Sequence, residues 1–94
     1  MFQEDSNKLS KKALDLKRAI DSLNEEMGAV DAYNQRAERC SDETLRKILM
    51  HNMNEEKEHA AMLLEWIRRN DKNFEKEIAE IIGSAEKDIV PQGH

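Results

Sequence analysis

The sequence predicts an all-α protein, an antiparallel two-helix hairpin followed by a short C-terminal helix, and three observations carry that prediction. Of its 94 residues 37% are charged and only 4% aromatic, with one proline and three glycines, which suits long helices better than sheets. Apolar and small side chains recur at alternating steps of four and three along two long stretches, the seam of helices that pack on other helices. Between these stretches lies a break, RCSDET, that carries helix-capping residues. A chain this short holds one domain whose core is marginal alone, so a partner is expected.

Residues 1–8 read as a mobile N-terminus. The first helix runs from about Leu9 to Ala37, with its seam at Leu9, Ala13, Leu16, Ile20, Leu23, Met27, Val30 and Ala37, and Asn34 filling the one gap. At the break, Ser41 or Asp42 caps the next helix, and Asp42 and Glu43 suit the positive end of its dipole. The second helix, about 42–70, continues the rhythm at Leu45, Leu49, Asn52, Glu56, His59, Leu63 and Trp66. After RRNDKN, the residues Phe74, Ile78, Ile81 and Ile82 mark a short amphipathic helix that Gly83 ends, so the folded unit spans 9–82. Residues 83–94 lack periodicity and read as a mobile tail.

The formal net charge of −5 argues against nucleic-acid binding, which needs a basic surface. Cys40 is the single cysteine, so no intrachain disulfide forms, and it reads as a small residue packed near a helix end. The N-terminus has neither the apolar core of a signal peptide nor a membrane span, and a cytoplasmic site of synthesis is expected.

Asn52, Glu56 and His59 put three consecutive polar side chains into the second seam. Unpaired burial costs about 2–7 kcal/mol for a neutral group and more for a charge, so a compensating partner is required. Glu56 and His59 are three apart and share a helix face, where a carboxylate beside an imidazole can grip one ion. If the hairpin turns near residue 41, Glu26 lies opposite Glu56, about 22 Å from the turn at 1.5 Å per residue. A di-metal carboxylate bundle needs a Glu from each of two helices and an E-x-x-H from each of two more. One chain encodes half of that, and a symmetric dimer completes it as a four-helix bundle. Carboxylates and imidazole without thiolate favour iron, manganese or zinc, and bridging carboxylates favour a pair of ions. A plainer reading leaves Glu56 and His59 on the solvated edge of a wide interface. Tyr33 is either packing or a phenol near the metals; His51 and Asn52 face either a second metal position or water. Trp66, Met50, Met53 and Met62 read as packing residues.

The stretches NEE, AVDAYNQR and HNMNEEKEHAAMLLEWIRR, within residues 19–71, resemble the encapsulated ferritins, two-helix ferritin-like proteins packaged in encapsulin nanocompartments. The resemblance implies a dimer that forms a ferritin-like four-helix bundle with a di-iron ferroxidase centre, and dimers arranged as an annular decamer inside an encapsulin shell in the cytoplasm. The implied reaction oxidises Fe(II) to Fe(III) with dioxygen and feeds iron storage. Position by position, Glu26, Glu56 and His59 match the iron ligands and Tyr33 a tyrosine close to the centre. Glu25 matches an acidic residue of an outer metal-uptake site, and His51 a histidine between that site and the centre. The chain departs from the pattern at Gly28, where an acidic residue is common, and at Ala32, where tryptophan is. Its DIVPQGH tail does not match the apolar peptide that docks cargo into the shell. Two other functions fit the same residues: a non-catalytic helical assembly module whose polar seam sets register, and a rubrerythrin-like di-metal peroxidase, although the cysteine-rich iron site of such enzymes is missing.

Overall fold

Each helix begins where a side-chain oxygen takes over a backbone donor of the first turn. The Ser10 hydroxyl accepts from the Ala13 N–H at 3.1 Å, and the carboxylates of Asp42 and Asp71 accept from Leu45 N–H at 2.8 Å and Phe74 N–H at 3.0 Å. Such caps are each worth about 1 kcal/mol. In the computed structural model, which describes residues 10–91, they open α1 (Lys11–Arg39), α2 (Glu43–Asn70) and α3 (Lys72–Ile81). No strand occurs among the described residues. The expected mobile segment 1–8, and Leu9 with it, lies outside them.

Two differences from the sequence reading have local causes, and one open choice is settled. Ser10 caps α1, so the helix proper starts at Lys11. At the break, Asp42 rather than Ser41, the two candidates of the sequence, caps α2. α3 begins at Lys72, two residues before Phe74, because Asp71 both closes α2 and caps α3. Cys40 ends α1 in an extended conformation; its N–H donates to the Ala37 carbonyl at 3.3 Å and its thiol to the Asp42 carbonyl at 3.4 Å. The short connection sends α2 back along α1. Gly83, at φ +72, turns the chain out of α3, a conformation that costs glycine least.

The core lies between α1 and α2 and is thin. Its buried members are Ala19 and Ala37 of α1 and Met53, Ala60 and Ile67 of α2, with Ile67 only 1% exposed. On α2 these residues recur every seven positions, one step away from the seam read from the sequence. A helix in a hairpin has one long neighbour, so only a narrow stripe is covered. Of the methionines and tryptophan assigned to packing, Met53 alone is buried within the chain, while Met50, Met62 and Trp66 stay exposed alongside Met27, Leu45 and Ile48. None of the three helices is long and apolar enough to cross a membrane.

Candidate metal centre

Glu26 sits midway along α1, and Glu56 and His59 lie one turn apart on the facing part of α2, so the antiparallel register brings all three together. One donor atom from each lies within 4.8 Å of the other two. The His59 Nδ1 stands 3.4 Å from Glu56 Oε2 and 3.5 Å from Glu26 Oε2. These separations exceed the 2.7–3.2 Å of a good N–H···O bond. Donors each about 2.1 Å from a shared ion stand about 3–3.4 Å apart in octahedral or tetrahedral arrangement, which is close to the two separations from His59.

The environment separates this group from ordinary surface carboxylates. Glu26 Oε2 is buried and has no hydrogen-bond partner, although a buried acceptor without a partner costs about 1–3 kcal/mol. A cation supplied to that oxygen removes the cost. The donor set is hard oxygen plus borderline nitrogen, suited to iron, manganese or zinc. Two of the donors are largely covered, Glu26 at 26% and Glu56 at 23% side-chain exposure, while His59 at 44% opens to the outside. Three donors leave coordination positions unfilled, and the open side is where further ligands can approach. Among the described residues this is the one such convergence of His, Cys, Asp and Glu.

The remaining predicted residues lie outside the group. Tyr33 is half-buried, seven residues beyond Glu26 and so on the same side of α1. The Arg36 guanidinium lies over its ring at 5.7 Å from the centroid, a cation–π contact that spacing alone did not single out. Glu25 is exposed. His51 is 70% exposed and faces Glu55, its Nε2 3.2 Å from Oε1. Asn52 is half-buried. Gly28 is exposed, and a Cβ built on it meets nothing within 4 Å.

Comparison with known proteins adds the family context. The EncFtn-like family model matches residues 1–85. A ferritin-like protein of Thermotoga maritima is 55% identical over 69 residues, 73% of this chain and 60% of its own length. An encapsulated ferritin-like protein of Rhodospirillum rubrum is 54% identical over 63 residues, 67% of this chain and 45% of its own. The chain thus spans 60% and 45% of these two curated relatives. The crystal structure of protein ne0167 from Nitrosomonas europaea superposes with a TM-score of 0.86 at 49% identity, covering 99% of this chain and 98% of that one.

Proposed function

Because this chain belongs to the EncFtn-like family, we propose that it is a ferroxidase, oxidising Fe(II) to Fe(III) with dioxygen at a dinuclear centre shared by two copies of the hairpin. The observation that carries this reading is the convergence of Glu26, Glu56 and His59 around a buried, unpartnered carboxylate oxygen.

Two Fe(II) ions are the substrate. Each loses one electron and a single dioxygen accepts both, which requires the ions to be held as a pair. Three donors on one hairpin cannot enclose two ions, whereas six donors about a twofold axis can. The carboxylates lower the cost of the added positive charge on oxidation, and His59 binds as neutral imidazole through one ring nitrogen. The exposed apolar side chains Met27, Met62 and Trp66 lie next to or one to two turns from the ligands, so the pairing that completes the centre also covers them.

The outer roles follow the family pattern. Glu25 draws Fe(II) toward the centre by local potential, an effect that salt weakens. His51 lies on the route inward, and Tyr33 stands beside the ions. A hairpin encloses no cavity for mineral, so the ferric product passes to an encapsulin nanocompartment around it. A relative from Rhodospirillum rubrum is named as an encapsulated ferritin-like protein, which supports such a shell. Dimers arranged as an annular decamer are the proposed form within that shell.

Aerobic addition of Fe(II), followed by ferric absorbance, tests the reading. Glu56→Ala and His59→Ala each slow oxidation by at least roughly tenfold, since even outer partners of metal ligands are worth about 10–100-fold. Unchanged rates in both variants overturn it.

A further inference from the structure

The short third helix leaves the hairpin through a single residue. Asp71 alone separates α2 from α3, closing one and capping the other. One extended residue leaves the angle between two helices unset, because its φ and ψ are soft. Packing sets it only in part: no residue of α3 is fully buried, Ile78 and Ile81 are half-buried, and Phe74 remains exposed.

A charged cluster spans the junction instead. Arg68 Nε and Nη2 donate to the two oxygens of Glu65 at 2.7 and 2.8 Å, a fork that fixes the guanidinium plane. Its remaining nitrogen, Nη1, reaches across to Glu75 Oε2 of α3 at 3.3 Å. Arg69 Nε also donates to Glu65, at 2.7 Å. We propose that Arg68 is a latch, oriented by Glu65, that fixes the angle at which α3 leaves the hairpin. Hydrogen bonds from Arg68 and Arg69 hold the Glu65 carboxyl down at about 2, so the orienting charge persists until the pH falls close to that value. The latch weakens as salt rises, because exposed ion pairs are screened.

Hydrogen exchange of the α3 backbone amides, measured on the full chain, tests this. Glu75→Gln, which keeps shape and removes charge, and Arg68→Ala each raise α3 exchange roughly threefold, the scale of one exposed ion pair. The amides of Met53–Ala60 in α2 do not change. Arg69→Ala removes a contact to Glu65 but none to α3, and leaves α3 exchange at the parent value. Unchanged α3 exchange in Glu75→Gln, or an Arg69→Ala effect equal to that of Arg68→Ala, overturns the latch.

Discussion

Two stripes run side by side along α2 and meet opposite fates. Met53, Ala60 and Ile67 are buried against α1, so apolar area leaves water within one chain at about 25 cal/mol per Å². One step around the helix, Glu56 and His59 are half-covered and Leu45 and Trp66 exposed. The first stripe is completed by folding; the second keeps uncovered apolar side chains and turns its Glu56 and His59 toward Glu26 of α1, whose buried Oε2 has no hydrogen-bond partner. Stability and site chemistry therefore sit on different faces of one helix, and substitutions on them should separate.

The largest expected separation is between Ile67→Ala and His59→Ala. The former empties the most buried position and costs about 2–5 kcal/mol in urea unfolding at fixed protein concentration. Without metal the latter costs no more than about 0.5 kcal/mol. Equal losses would mean that the ligand stripe belongs to the folding core. A smaller effect of opposite sign sharpens the contrast: Glu26→Gln removes the charge beside a buried oxygen and stabilises the protein in chelator by about 1 kcal/mol, while weakening the metal site. Destabilisation would show that the carboxylate is already satisfied without an ion. The smallest is Gly28→Ala. With no atom within 4 Å of the added Cβ, alanine raises stability by about 0.5–1 kcal/mol in thermal unfolding; a loss would place Gly28 against a second chain.

Much of this was legible in advance. The antiparallel register that brings Glu26 to Glu56 follows from two uninterrupted helices and a turn near residue 41, since a constant rise per residue makes cross-helix neighbours a matter of counting. The buried stripe was displaced by one step because Leu45 and Trp66 continue an apolar rhythm as well as Met53 and Ile67 do. Periodicity records that a face is apolar, not which neighbour covers it. Arg68 was invisible for a related reason: its partner Glu75 lies seven residues on, across a helix break whose angle no local pattern encodes.

By itself the sequence determined the three helices, their ends within about two residues, and the register that brings Glu26, Glu56 and His59 together, because helix geometry turns spacing directly into direction. Only the tertiary structure decided which stripe of α2 is core, that Glu26 Oε2 is buried without a partner, and how α3 is tied to the hairpin. Burial and ion pairing between elements depend on distances in space, and many sequence patterns are compatible with more than one such set of distances.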